Sequence, residues 1–390
     1  MKIGLRLLTL LFLLLAPLLR AGHEAALSSH PSPYLQSPAD DAVHWRVNKS
    51  NAISQARKEG KLIFLSSGYE SCYWCYRMKQ DTFSDNKSAS LINDNFLPIL
   101  IDRELEPLLD AHLQDVMTQQ RGFGGWPANL ILTPDGYPVA SFSYADPGNL
   151  EPALSELLER WQKEPEKLVS EGQALLARLA QEREASDRLL RDTSLADLLQ
   201  RFLQQANAAS DVTYGGFGDN EKYPHLPQLD ALLSLTAVVP DASLTSFLGT
   251  TLDAMLQNGL RDQLGGGFFR YTTDRQWRMP HYEQMLYTQA LAVRVLARAG
   301  NQLREQRYTD AAEAALKNML RAFRRSEGLF RSSLSAVGHD GTDGGHYLWQ
   351  PGELDALLDS ESRGSIEVLV ETPDGILPGL APDAPEDLRM

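Results

Sequence analysis

Two regimes of hydrophobic patterning divide the chain. In the first, short apolar runs alternate with segments of helical spacing. Residues 61–65 and 96–101 are near-continuous apolar runs, as expected of strands covered on both faces. Residues 42–60 carry apolar positions at Val43, Val47, Ile53 and Ala56 and end on Lys58-Glu59-Gly60, which predicts a helix with a glycine stop. A second helix opens over 72–78, a third restarts at Asn86 and a fourth covers 108–119. An apolar run over 129–133 meets the turn signal Pro134-Asp135-Gly136, and 139–144 pairs back. An amphipathic helix over 150–161 closes the unit. Strand–helix–strand–helix–strand–strand–helix is an α/β order with a mixed sheet.

In the second regime helical periodicity dominates and strand signals nearly vanish. The charged stretch 162–188 predicts a connecting helix, 189–360 a domain of helical hairpins, and 361–390 an irregular Pro/Asp-rich tail. Three Gly/aromatic punctuations follow helical segments: Tyr214-Gly215-Gly216-Phe217, Gly265 to Phe269, and Gly328-Leu329-Phe330. Their spacing is that of a weak internal repeat, as in a toroid or solenoid. The plainer alternative is that such turns simply end helices.

The N-terminus adds an address. Lys2 and Arg6 precede an apolar run over 7–15, with small residues at Ala21-Gly22, so 1–22 is expected to be a secretory signal peptide. An uncleaved membrane anchor is the alternative, since Arg20 makes the cleavage site untidy. The protein is therefore expected to be periplasmic or secreted. Of 390 residues, 37 are Lys or Arg and 51 Asp or Glu, a formal charge of −14 that argues against nucleic acid as a partner.

The chain has two cysteines, Cys72 and Cys75, which rules out a disulfide scaffold. Cys72-Tyr73-Trp74-Cys75 follows a predicted strand and starts a helix. That spacing allows a disulfide within one turn, and a thiolate at a helix start is stabilised by unpaired N–H groups. Cys72 is expected to be the exposed attacking thiolate and Cys75 the more buried resolving one. A structural disulfide and half of a metal site are the alternatives; no metal or cofactor is expected. Trp126-Pro127 before a strand suits a cis bond. The Trp126 backbone, with Tyr73 and Trp74, would then dock an extended thiol substrate. An ordinary trans proline is the alternative.

Residues 28–161 resemble the thioredoxin-like domain of the spermatogenesis-associated thioredoxin-like family. The resemblance rests on Ser32-Pro33-Tyr34-Leu35, Ile63-Phe64-Leu65-Ser66, the Cys72–Cys75 motif, Ile101-Asp102-Arg103-Glu104, Gly124-Gly125-Trp126-Pro127 and Leu132 to Gly136. It implies thiol–disulfide exchange with protein or small thiol substrates and an unidentified redox partner. The family pattern has His after each cysteine, where this chain has Tyr73 and Tyr76. The carboxylate that thioredoxins bury beneath the disulfide is replaced by Ser66, so proton transfer from Cys75 needs another base.

Gly215 to Gly218 with Lys222 to His225, and Gly265 to Tyr271 with Pro280 to Tyr287, resemble the α/α toroid half of the same family. That half is similar to N-acylglucosamine 2-epimerases and six-hairpin glycosidases. The implied fold is an α/β thioredoxin-like domain followed by an all-α partial toroid. Asp274, Trp277, His281 and Glu283 are the implied lining of a second pocket for a sugar. A carbohydrate-binding or sugar-modifying protein is thus the alternative function, although a His and a carboxylate two apart on a helix point to different faces. By the family pattern the toroid is C-terminally short. A half ring exposes hairpin faces that a homodimer or other partner would cover.

Overall fold

The computed structural model describes residues 27–38, 41–381 and 384. The expected signal peptide lies outside them. The chain divides into two compact units between Asp192 and Thr193, and among the described residues no helix is long and apolar enough to cross a membrane.

The elements of the first unit run α1 (Pro33–Gln36), α2 (Lys49–Glu59), β1 (Leu62–Gly68), α3 (Tyr73–Met78), α4 (Asn86–Asn95), β2 (Phe96–Asp102), α5 (Pro107–Arg121), β3 (Ala128–Leu132), β4 (Pro138–Phe142), α6 (Pro147–Lys163) and α7 (Pro165–Asp192). A π-helical turn, Lys79–Phe83, prolongs α3. The sheet order is β2-β1-β3-β4. Strands β1 and β2 are parallel with Leu62 opposite Phe96, and β3 returns antiparallel with Ala128 opposite Ser67. Alternation along β1 builds two cores. Leu62 and Phe64 join Trp45, Met78, Phe83, Leu150 and Leu154 on one face, and Ile63 and Leu65 join Leu113, Val116 and Met117 on the other. This is the thioredoxin-like α/β arrangement, which delivers the end of β1 directly to the cysteine pair.

One expectation is corrected here. The helix expected over 42–60 begins only at Lys49, where the Asn48 side chain accepts the Asn51 N–H. Before it, Arg46 bridges in parallel to Ile99, and Val43 and Trp45 enter the core two apart, the period of a strand. The connecting helix expected over 162–188 is α7, whose first half packs on the first unit while residues 180–192 are exposed. Its Leu168 belongs to one core and Leu175 and Leu179 to the other. A Cβ at Gly172 would stand 2.8 Å from the Pro138 carbonyl oxygen, so glycine lets helix and strand approach.

The second unit has α8 (Leu195–Ala209), α9 (Leu226–Val238), α10 (Ala242–Gln257), α11 (Leu286–Leu303) and α12 (Gln306–Asn318), with short strands β5 (Tyr271–Thr272), β6 (Pro280–His281), β7 (Gln284–Met285) and β8 (Ser333–Leu334) in the connections. Helices α9 and α10, and α11 and α12, form hairpins around a Leu-rich core with Tyr308 and Trp277. This is an α/α-toroid type of domain. The Gly/aromatic repeat is present in the backbone. Bridges Ser210↔Phe217, Arg261↔Phe268 and Arg324↔Phe330 close the three turns. In the first two, Asp211 and Asp262 occupy equivalent places: each carbonyl accepts an N–H from Gly215 or Gly266, and each N–H donates to Gly216 or Gly267.

The chain continues through α13 (Pro351–Leu357) and α14 (Ser360–Gly364). The irregular tail expected over 361–390 is corrected in its described part to an antiparallel hairpin of β9 (Ile366–Thr372) and β10 (Gly375–Leu380). Pro378 obscured the second strand, because proline removes a ladder donor. A register shift between Leu377 and Pro378 accommodates it.

Candidate functional site

Strand β1 ends at Gly68, and Cys72 caps α3. Its Sγ accepts the Cys75 N–H at 3.1 Å, and its own N–H donates to the Tyr69 carbonyl. Cys72 and Cys75 are joined as a disulfide, with Cα atoms 5.2 Å apart. The expected contrast of an exposed Cys72 and a more buried Cys75 is corrected: the residues are 2% and 7% exposed. The Cys75 sulfur packs over Gly68. A Cβ built there would meet Cys75 Sγ at 2.8 Å and overlap the Tyr34 hydroxyl, so only glycine admits the pair.

A cavity of about 80 Å³ borders both cysteines and is lined among others by Tyr34, Asp41, Glu70, Tyr76 and Lys79. Burial, reinforced by Asp102 and Glu70, pushes the Tyr34 hydroxyl far above its ordinary range. Burial also raises the Glu70 carboxyl, with Lys79 opposing and Asp102 adding to the rise. Lys79 Nζ is held by the Ser37 hydroxyl at 2.6 Å and by Asp41 at 3.4 Å. The Ser66 Oγ, in the place of the missing carboxylate, is buried without a hydrogen-bond partner. Sequence reasoning gave Tyr34 no role and overlooked Glu70 and Lys79. The signal was Glu70 standing two residues before Cys72.

The Trp126–Pro127 bond is cis. The loop before it is fixed by Gln114, whose amide exchanges two hydrogen bonds with the Gly125 backbone, at 2.8 and 3.1 Å. The Trp126 indole N–H donates to Asp110 Oδ1 at 2.9 Å, and the same oxygen accepts the Ser67 hydroxyl at 2.7 Å. The Arg103 guanidinium lies between the Tyr69 and Trp126 rings, 4.4 and 4.3 Å from their centroids. Tyr73 packs edge-on against Trp74, which is 42% exposed and leans on Tyr144. Tyr144 is in turn anchored by donating to Asp81 at 2.8 Å.

The second implied pocket is brought together only in part. Asp274 accepts the N–H groups of Gln276, Arg278 and Met279 and so closes its own loop. Trp277 is 0% exposed, sits in the core at φ +63° and donates to the Tyr214 carbonyl. Both are spent on structure. His281 ends β6 and Glu283 lies in the link to β7, and His281 Nδ1 stands 3.4 Å from Glu283 Oε1. Arg270 reaches the other Glu283 oxygen at 3.1 Å. His281 stacks on Tyr271, and Tyr271 on Tyr223. Burial lowers the His281 pKa, Glu283 counteracts it and Arg270 adds to it. Asp343, which the sequence did not suggest, is pushed up to about 7 by burial and by Glu283 and Asp374.

A family model described as Thioredox_DsbH, protein of unknown function DUF255, matches residues 24–180. Spermatogenesis-associated protein 20 of Rattus norvegicus is 33% identical over 362 residues, 88% of this chain and 46% of the relative. The chain thus spans about half the length of the curated relatives it matches. A sugar epimerase structure from a ruminal bacterium covers 42% of this chain and 46% of its own, at 13% identity and a TM-score of 0.32. A DsbH oxidoreductase structure covers 31% of this chain and 85% of its own, at 17% identity and a TM-score of 0.25. By its motifs, its fold and its relatives, the chain belongs to the spermatogenesis-associated thioredoxin-like family.

Proposed function

We propose that the first unit catalyses thiol–disulfide exchange on cysteine-bearing polypeptides in an oxidising compartment, through Cys72 and Cys75. The observation that carries this reading is the Cys72–Cys75 disulfide at the start of α3, with the Cys75 N–H aimed at Cys72 Sγ. A hydrogen bond to sulfur favours its thiolate. In the oxidising direction a substrate thiolate attacks Cys72 Sγ. The Cys72–Cys75 bond breaks, and Cys75 leaves as a thiolate. A second substrate thiolate then attacks the substrate sulfur of the mixed disulfide and releases Cys72. Two electrons pass from the substrate dithiol to the protein. The reverse sequence reduces a substrate disulfide. Trp126 and Pro127, with Tyr73 and Trp74, form the substrate rim, and Glu70 at the shared cavity takes the proton that Ser66 cannot.

The expected leader places this activity in the periplasm or outside the cell. The carbohydrate alternative is left with His281 and Glu283, because Asp274 and Trp277 serve the loop and the core. The test is a titration of the full chain in glutathione or dithiothreitol buffers of defined potential, with free thiols trapped by alkylation. A reversible two-electron transition between about −120 and −270 mV is expected, together with loss of exchange activity in Cys72→Ser. A pair still oxidised below roughly −300 mV, or full activity in Cys72→Ser, refutes it.

A further inference from the structure

A groove of about 730 Å³ lies in the second unit, between helices α10 and α12 on one side and the β9–β10 hairpin on the other. Its apolar wall is Leu256, Ala311, Ala314, Leu369 and Leu380. Its charged groups are mostly paired with one another. Arg307 holds Asp253 at 2.9 Å, and Lys317 holds Glu313 at 3.1 Å. Arg261 is the exception. Its Nε is buried, and it finds no hydrogen-bond partner among the described residues. The neighbouring Asp262 makes no hydrogen bond to it, and its carboxylate accepts the Gly265 N–H at 2.8 Å. Burial lowers the Arg261 pKa, and Asp262 offsets this only in part. A buried Nε–H without an acceptor costs stability, and an incoming anion that accepts from it relieves that cost.

The rim narrows the class of anion. Asp310, Glu313 and Glu367 also line the groove and are exposed. Arg307 and Lys317 are already held by Asp253 and Glu313, so a dianion such as phosphate meets Asp310 and Glu367 with only Arg261 uncommitted to offset its charge, whereas a single carboxylate matches the planar guanidinium fork. The volume suits a small organic molecule. The hairpin and the Gly-turn arginine come from segments more than a hundred residues apart, and Gln263 ties them by accepting the Leu380 N–H at 2.8 Å. We propose that Arg261 and this groove bind a small monocarboxylate with an apolar body, at a site independent of the cysteine pair.

The test is calorimetric binding of sodium octanoate to the full chain, with 1-octanol and inorganic phosphate as comparison probes. Octanoate is expected to bind saturably at one site, and both comparison probes at least about tenfold more weakly. Arg261→Gln is expected to weaken octanoate about tenfold or more, and Arg261→Lys to fall between the two. Without octanoate, Arg261→Gln should unfold at the same temperature as the parent or higher, because an unpaired buried charge has been removed. Four results would each overturn the proposal. These are octanoate affinity unchanged in Arg261→Gln, no octanoate binding up to roughly 10 mM, phosphate binding as tightly as octanoate, and a lowered unfolding temperature in Arg261→Gln.

Discussion

Asp110 joins three parts of the cysteine site. It stands on α5, is 6% exposed, and one of its oxygens accepts both the Ser67 hydroxyl from β1 and the Trp126 indole N–H from the loop before Pro127. Asp110→Ala removes both acceptor contacts at once. The Ser67 residue is 0% exposed, so its hydroxyl has no route to bulk water. A fully buried donor deprived of its acceptor costs about 1–3 kcal/mol and the half-buried Trp126 N–H about 1, so the change is expected to destabilise the unit by about 2–4 kcal/mol. Asp110→Asn keeps a carbonyl oxygen in the same place and is expected to cost no more than about 1 kcal/mol. Native-state hydrogen exchange of the β1 and β3 amides measures this in the full chain without interference from the helical unit. Where exchange is limited by opening of the unit, Asp110→Ala should speed it roughly 30- to 700-fold. Adding Ser67→Ala to Asp110→Ala should recover part of the loss, because one stranded donor disappears. If Asn proves as damaging as Ala, the acceptor argument fails and the charge itself is what matters. If neither variant changes protection, Trp126 is held by its Arg103 stack alone.

Gly68→Ala should cost about 1–3 kcal/mol, since the added methyl meets Cys75 Sγ at 2.8 Å and the Tyr34 hydroxyl. Thermal unfolding would show it, and Tyr34→Phe in the same chain should restore part of the loss; no loss would mean that the strand end shifts freely. The Asp343 carboxyl has its folded pKa raised to about 7, so it binds a proton more tightly folded than unfolded. Its contribution is complete below the ordinary carboxyl range near 4 and is lost as pH rises through about 7. Asp343→Asn should therefore raise the unfolding midpoint at pH 8 and leave it nearly unchanged at pH 4; an equal gain at both values would exclude titration as the cause.

What the sequence disclosed follows from how local each signal is. The strands at 62–68 and 96–102 were legible because continuous burial needs continuous apolar residues, and the cysteine pair was legible because its spacing is its chemistry. The Gly/aromatic turns announced a repeat because the backbone at Gly215, Gly216 and Gly266 adopts positive φ, which excludes most other residues. Signals that depend on a distant partner were not legible. Val43 and Trp45 form an extended segment because β2 supplies Arg46 with hydrogen-bond partners. Trp277 had the composition of a sugar platform and became core because the Tyr214 carbonyl and Gly216 receive its ring. His281 and Glu283 meet because one ends β6 and the other lies in the link that leads into β7.

The same reasoning explains why the cysteine site is better defined than the helical one. In the first unit, the groups around the disulfide have bonding needs met by their neighbours: Trp126 by Asp110, Gly125 by Gln114 and Lys79 by Ser37. A site so braced keeps its geometry through a cycle in which only the sulfur–sulfur bonds change, as exchange chemistry requires. Among the described residues Ser66 Oγ is buried without a hydrogen-bond partner, at the position where the family resemblance implies that thioredoxins carry a carboxylate. A hydroxyl there neither repels a forming thiolate nor takes its proton at neutral pH. In the proposed exchange that leaves the work to Glu70, whose carboxyl is raised by burial and borders the same cavity as both cysteines. With the base on the cavity wall rather than beneath the disulfide, the proposed exchange would have its proton transfer tied to the access of solvent to that cavity.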